Sequence, residues 1–507
     1  MRILITGFLF TLFNLQTLGG LKISGAPTAL PPAHSMFGWA VTLHGEFAAV
    51  SAPNESYNDL MLAGAVYVYR ITDGNWKFFQ KILPADPSNM KLFGSALKLN
   101  GLTLLVGAPN DGGKTGSAYV FQFNGTSWEQ TQKIVPINPV PFQLFGATVD
   151  LGYNYALIST ISKDDQGVAS GSIYQYKVTS DNWIPEKVIV SPEKNENDLF
   201  GACISIVSAD HFLVGAPRAN GQIANGGAIY SYTKTDGNWG VNQKIAPSNG
   251  RTDGFFGSAG SFSGDRLLVG AMQESADSIK SGTAYLYHLD ETGKWSFEQQ
   301  LFPENQRNND YFGISVLLNG EIAIIGSPKW DNGEFNSDMG SADLFYLTEG
   351  QWKLSGKIIP EDGAPDDHFG MAMATDKNKL VIGSRFDDNP HFNNGSVQFF
   401  DLRLLIPESA RNSLPKTIAL LSNYPNPFRQ ATTIYYDLPV KTQVSISIFD
   451  LMGMKITDLV NREEEAGYNQ VIWNGHNAKG QVVPSGIYIY QMNTPSFSSS
   501  GKMLLVK

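Results

Sequence analysis

The pair Phe-Gly returns seven times along the chain, at Phe37-Gly38, Phe93-Gly94, Phe145-Gly146, Phe200-Gly201, Phe256-Gly257, Phe312-Gly313 and Phe369-Gly370. Successive pairs lie 52 to 57 residues apart. A repeat of that length is one supersecondary unit, which cannot bury its apolar face alone and must stack against copies of itself. About fourteen residues after each pair comes a second mark: Ser51-Ala52-Pro53, Gly107-Ala108-Pro109, Gly215-Ala216-Pro217, Gly270-Ala271-Met272, Gly326-Ser327-Pro328 and Gly383-Ser384-Arg385, with the third copy reduced to Ser159-Thr160-Ile161.

Each repeat continues with glycine, a small residue and an alternating aromatic run, as in Gly64-Ala65-Val66-Tyr67-Val68-Tyr69. Six copies then place a tryptophan after a turn (Trp76, Trp128, Trp183, Trp239, Trp295 and Trp352), and a stretch such as Gln80-Lys81-Ile82 with Pro84 closes the unit. Physically these are four short strands. Proline cannot donate to a ladder and belongs at a strand end. The Tyr-x-Tyr alternation has the strand period of two, and Asp73-Gly74, Asn124-Gly125 and Asp236-Gly237 are hairpin signals. Four-stranded blades repeated radially leave only short, protected edges. The expected fold is therefore all-β, a seven-bladed β-propeller over residues 20–405. The seventh repeat, Gly395-Ser396-Val397-Gln398-Phe399-Phe400, lacks a tryptophan and a Lys-Ile strand, whereas Leu21-Lys22-Ile23-Ser24 has the character of the missing fourth strand. Borrowing it would remove an open edge that invites aggregation.

The wording of the repeat resembles the FG-GAP repeat family and the propeller of integrin α subunits. Repeats of the integrin type often carry an Asp-x-Asp-x-Asp-Gly calcium loop between the two marks. Here that stretch holds tight turns such as Leu43-His44-Gly45-Glu46 and Leu99-Asn100-Gly101-Leu102. These cannot supply the roughly six to eight oxygens that calcium takes. Neither a metal nor another cofactor is expected.

Arg2, the apolar residues 3–15 and the small residues near Thr17-Leu18-Gly19 read as a signal peptide over residues 1–19. The run is too short for a convincing transmembrane span. Past Ile406 the repeat stops; residues 406–415 read as a polar linker, and 416–507 as a small immunoglobulin-like β-sandwich of short alternating strands. Four landmarks there resemble the type A C-terminal sorting domain of the bacterial type IX secretion system. They are Tyr424-Pro425-Asn426-Pro427-Phe428, the turn at Asp450-Leu451-Met452-Gly453, Ser485-Gly486-Ile487-Tyr488, and the terminal Lys502-Met503-Leu504-Leu505-Val506-Lys507. The resemblance implies handling by that secretion machinery and a secreted or cell-surface location; a plain immunoglobulin-like domain is the alternative.

A net charge of −10 argues against nucleic acid as a partner. Residues 108–115, Ala-Pro-Asn-Asp-Gly-Gly-Lys-Thr, formally fit a phosphate loop but lead into a strand, not the helix such a loop needs. No two histidines have the spacing of a zinc helix motif, and no nucleophile elbow is present. Cys203 is the single cysteine and has no intrachain partner. The sequence thus predicts no catalytic residues. It points to a secreted or surface protein for binding or adhesion, with a polysaccharide-active enzyme or a structural spacer as alternatives. The loops joining second to third strands, and fourth strands to the next blade, belong on one side. They combine acids with aromatics, and Tyr57, Trp330, Asp331, Phe386, Asp387 and Asp388 are the expected contacts for an extracellular protein or glycan, with Phe335 and Phe392 interleaved.

Overall fold

A computed structural model describes residues 21–24, 34–72, 75–152, 154–162, 169–179, 182–221, 223–274, 279–331, 337–360, 363–388, 392–405, 418–420, 423, 428 and 431–506. The expected signal peptide and the whole of the expected linker lie outside them. Two compact units separate after Leu405.

Among the described residues, the larger unit holds seven four-stranded antiparallel sheets. Sheet 1 is Val41–His44, Phe47–Ala52, Ala65–Thr72 and Asn75–Ile82, in sequence order across the sheet. Sheets 2 to 6 repeat this order. Sheet 7 contains Phe369–Asp376, Lys379–Ser384 and Ser396–Asp401, and takes its fourth strand from the other end of the chain. Leu21–Ser24 pairs antiparallel with residues 396–399, Ile23 opposite Val397, which is the pairing the sequence predicted. The first strands of successive sheets lie side by side, and that of sheet 7 lies against that of sheet 1. This cyclic order is consistent with a propeller.

The marks of the repeat make the joints between sheets. Phe37 is fully buried, and its ring meets Tyr67 and Tyr69 of its own sheet edge-on at 5.4 and 6.4 Å. Its backbone belongs to the neighbouring sheet: the Phe37 N–H donates to the Asn394 carbonyl at 2.8 Å, and Phe37 bridges Gly395 in parallel. A Cβ on Gly383 would run into the carbonyl oxygen of Gly38, and one on Gly395 into that of Phe37. The same approach recurs at Gly107 with Gly146, Gly215 with Gly257, Gly270 with Gly313 and Gly326 with Gly370.

A side-chain clamp ties the outer edges together at four junctions. Gln80 donates to the Trp128 carbonyl at 2.9 Å and accepts from the Trp128 N–H at 2.8 Å. Gln132 holds Trp183, Gln243 holds Trp295 and Gln299 holds Trp352 in the same two-bond manner. These tryptophans are buried at 3% exposure, so the amide saves backbone groups from being desolvated without partners.

The smaller unit has a three-stranded sheet, Ala419–Leu420, Thr432–Leu438 and Gly467–Trp473, and a four-stranded one, Lys455–Glu464, Thr442–Asp450, Gly486–Thr494 and Phe497–Leu505. Alternate residues of these strands, among them Ile434, Tyr436, Ile446, Ile448, Tyr490 and Met492, share one apolar core, as the period of two requires.

Gly383→Ala should lower stability by about 2 kcal/mol or more, because backbone must shift to admit the methyl group. Gly356→Ala, at an exposed fourth-strand position with open space around it, should change stability by less than about 0.5 kcal/mol. Urea unfolding of both variants checks the contrast.

Candidate ligand face

All seven junctions are knitted on one side by the same backbone bonds. The loop between second and third strands offers carbonyls to N–H groups of the segment entering the next sheet. Examples are Met90 to Met61 at 2.7 Å, Asn309 to Lys280 at 2.8 Å, Asp366 to Ser337 at 2.7 Å and, closing the cycle, His34 to Phe392 at 2.9 Å. The two loop sets that the sequence assigned to one side are therefore bonded to each other. The residue before each Phe-Gly pair, from Met36 to His368, has a left-handed φ between 53° and 59°, an uncommon state for side chains of this bulk.

Beneath these loops each sheet carries a polar cluster. In sheet 1, Glu55 accepts from Tyr67 at 2.7 Å and pairs with Lys81. In sheet 2, Asp111 accepts from Ser117 at 2.7 Å and pairs with Lys133 at 2.7 Å and with the fully buried Lys91 at 3.4 Å. Burial opposes its ionisation, but Lys133, Ser117 and Lys91 hold its carboxyl down at about 2. Asp111 lies in the segment that formally fits a phosphate loop. Gly112 and Gly113 take left-handed φ there, Lys114 lies over the Phe142 ring at 5.8 Å, and the chain enters the strand Ser117–Phe123. The segment thus leads into a strand and not into the long helix whose N-terminus a phosphate loop needs. In sheet 6 the pattern is exchanged: Trp330 stands where sheets 1 and 2 have the acid, and Asp343 where they have tyrosine. Asp343 is buried and pairs with Lys357 at 2.5 Å, whose ammonium lies over the Trp330 ring at 5.1 Å.

The expected contact residues divide between loop structure and surface. Tyr57 is half-buried; burial and then Glu55 push its hydroxyl up to about 12. Trp330 is half-buried against Lys357. Asp331 caps its own loop, accepting from the Asp338 N–H at 2.7 Å and Ser337 at 3.0 Å. Asp387 is buried and accepts from Ser396 at 2.5 Å. Asp388 is exposed and accepts from the Asn393 N–H at 2.7 Å. Phe386 is half-buried, 5.0 Å from His368 and 4.8 Å from the Arg385 guanidinium, which also lies 4.7 Å from Trp39. Phe392 is 59% exposed, and Phe335 lies outside the described residues.

Sequence reasoning missed Lys329, His368, Arg385 and Trp39 in this sector. Asp338, Asp366 and His368 each offer one ligand atom within 4.8 Å of the others, a set able to hold a metal ion. Burial, then Arg385 and Lys329, push the His368 imidazole down to about 4, so it is neutral at neutral pH. Lys329 lies 2.8 Å from Asp338 and already supplies it with positive charge. No spacing rule points to this trio, because it forms only through bonds between a loop and the linker into the next sheet.

In the smaller unit, Phe428 is buried 5.5 Å from Trp473, and its backbone bonds to Leu504 and Val506. Gly453 has φ +81° in a turn where the Asp450 carboxylate accepts from the Met452 and Met454 N–H groups, both at 2.9 Å. Tyr488 packs 5.0 Å from Trp473 and donates to the Pro484 carbonyl at 2.8 Å. Ser485 precedes the strand Gly486–Thr494, and Lys502 pairs across from Ile489. Tyr424, Pro425, Asn426, Pro427 and Lys507 lie outside the described residues.

A family model described as FG-GAP repeat matches residues 76–121, 128–176, 239–287, 295–345 and 352–400. One described as secretion system C-terminal sorting domain matches residues 422–507. No curated protein matches the chain. Each matched stretch runs from the fourth strand of one sheet to the third of the next, the same one-strand offset that leaves sheet 7 to take Leu21–Ser24. Phe37-Gly38 and Phe200-Gly201 fall outside these stretches yet make equivalent joints.

Several buried carboxylates on this side have an oxygen without a hydrogen-bond partner, among them Glu274 in sheet 5 and Asp310 before sheet 6. Burial pushes both up to about 7, from ordinary values of 4.5 and 3.8. A raised carboxyl favours the neutral form in the fold. The stability it allows is complete below about pH 4 and is lost as pH rises through about 7. Glu274→Gln and Asp310→Asn should each match the parent at pH 4 and exceed it by about 1–3 kcal/mol at pH 8. Urea titrations at pH 4, 6 and 8 measure this; variants less stable than the parent at pH 8 would show that the charged forms are needed.

Proposed function

We propose that this chain of FG-GAP repeats with a secretion system C-terminal sorting domain is a non-catalytic binding or adhesion protein built as a closed seven-bladed propeller. The sorting domain sends it by the type IX route to the cell surface or extracellular space. In this reading residues 1–19 are the signal peptide, 20–405 the propeller, 406–415 a linker and 416–507 an immunoglobulin-like sorting sandwich. No helix among the described residues is long and apolar enough to cross a membrane.

The observation that carries the binding role is the bonded ring of loops on one side. Sites on loops held by a rigid scaffold are the usual places for recognition. The residues Trp330, Phe386 and Asp388 support contact there: half-buried rings are held by Lys357, His368 and Arg385, and the exposed Asp388 follows Phe386 by two residues. A mixture of fixed aromatics, acids and bases fits an extracellular protein or glycan. Tyr57, Asp331 and Asp387 hold the loops in shape for that contact.

Removing residues 418–507 should leave a folded protein in the periplasm of its host, detected by fractionation; arrival at the surface would refute the sorting role. For the face, the secreted protein is probed on glycan and protein arrays. The double variant Trp330→Ala, Phe386→Ala should weaken the strongest array interaction by at least about tenfold, and Asp388→Asn by less, as aromatic anchors dominate recognition. Unchanged binding by both, with melting temperatures preserved, overturns the assignment.

A further inference from the structure

We propose a saccharide-binding subsite on the outer rim between sheets 4 and 5, at the margin of the loop face and built from other residues than the sector of Trp330 and Phe386. The strand Asn238–Ile245, the linker at residues 246–249 and the strand Trp295–Leu301 line a half-open cleft of about 460 Å³. Small-ligand sites typically occupy roughly 300–1,000 Å³.

The wall is formed by Phe297, which is 59% exposed. Its ring is steadied edge-on by Tyr287 at 6.0 Å and Tyr285 at 6.4 Å. Between sheets 1 and 2 the corresponding residue, two after the tryptophan, is Gln130, and its amide oxygen accepts from the Ala85 N–H of the linker at 2.9 Å. Phenylalanine cannot make that bond. Here an open aromatic surface lies beside the exposed Ser248 and Asn249.

The polar groups around the cavity are held in place before any ligand arrives. Asn249 donates to Gln300 at 3.1 Å, Gln300 to the Tyr285 hydroxyl at 3.0 Å, and that hydroxyl to Glu274 at 2.8 Å. Such preorganisation reduces the ordering cost of binding. The charged side chain of the lining, Lys244, is paired with Glu193 and also donates to the Asn220 carbonyl. The lining therefore offers an aromatic face, amides and a hydroxyl, with its charge already neutralised. A pyranose ring matches it: its C–H face stacks on Phe297 and its hydroxyls meet Asn249 and Ser248. An anionic sugar or a basic peptide has no counter-charge there.

The test uses the full chain and a panel of neutral gluco-, manno-, galacto- and xylo-oligosaccharides of two to six units, read by saturation-transfer NMR and tryptophan fluorescence. At least one member should bind the parent. Phe297→Ala should weaken it by at least about tenfold and Asn249→Ala by about threefold, while Phe297→Tyr retains it. Trp330→Ala with Phe386→Ala should leave this binding unchanged, which separates the rim cavity from the sector of Trp330 and Phe386. The proposal is overturned if no neutral saccharide binds the parent. It also fails if Phe297→Ala binds as the parent does, or if the rim responds only to acidic saccharides or to an extended peptide pairing with the edge strand.

Discussion

Everything in the larger unit depends on a place where side chains are excluded. The phenylalanine carbonyl of each Phe-Gly pair presses against glycine backbone of the preceding sheet, so closely that a single Cβ would displace it. The spacing of sheets is set there by main chain, whose dimensions do not vary, and not by side chains, whose volumes do. Seven copies of one backbone contact can then differ in sequence elsewhere and still return to Gly383 and Gly395 with the geometry that receives Phe37-Gly38. Away from the joint, aromatic rings fill the widening space, and the glutamine clamp completes buried backbone bonds at the rim.

Because glycine recurs under the phenylalanine carbonyl at all seven junctions, variation collects around and outside that contact, beginning with Ser51 and Ser159, which stand where other copies have a second glycine. The polar cluster under the loops shows this. Glu55, Asp111 and Glu274 occupy one position with a tyrosine donor, whereas sheet 6 replaces acid and tyrosine by Trp330 and Asp343. Each exchange preserves pairing of buried charge where a lysine reaches it, as at Lys133 or Lys357, and leaves an oxygen unpartnered where none does, as at Glu274. Individual character on a repeated scaffold arises in this way, through local departures that the common joint allows.

The smaller unit follows another rule. Alternation places Ile434, Ile446, Ile448 and Met492 into one core, and Phe428, Trp473 and Tyr488 form a ring stack at its end. The landmarks of the sorting domain are thus largely structural: Asp450 and Gly453 make a turn, and Phe428 and Tyr488 close the core. That turn exposes Leu451, Met452 and Met454.

The sequence by itself determined the repeat, its four strands, the N-terminal strand that completes sheet 7 and the sorting module. Each of these is written in local period, turn chemistry or recurrence, which need no knowledge of neighbours. Only the tertiary structure decided which loop side chains turn inward. Asp387 and Asp388 are adjacent and chemically alike, yet one is buried on Ser396 and the other exposed. Trp330 and Phe386 read as surface aromatics, but Lys357 from the fourth strand covers part of the first ring, and His368 from the linker and the adjacent Arg385 cover part of the second. The trio of Asp338, Asp366 and His368, and the cavity beside Phe297, likewise bring together residues from separate sheets or their linkers. A loop's side chains take their direction from the linker bonded to it, and that linker belongs to the next repeat.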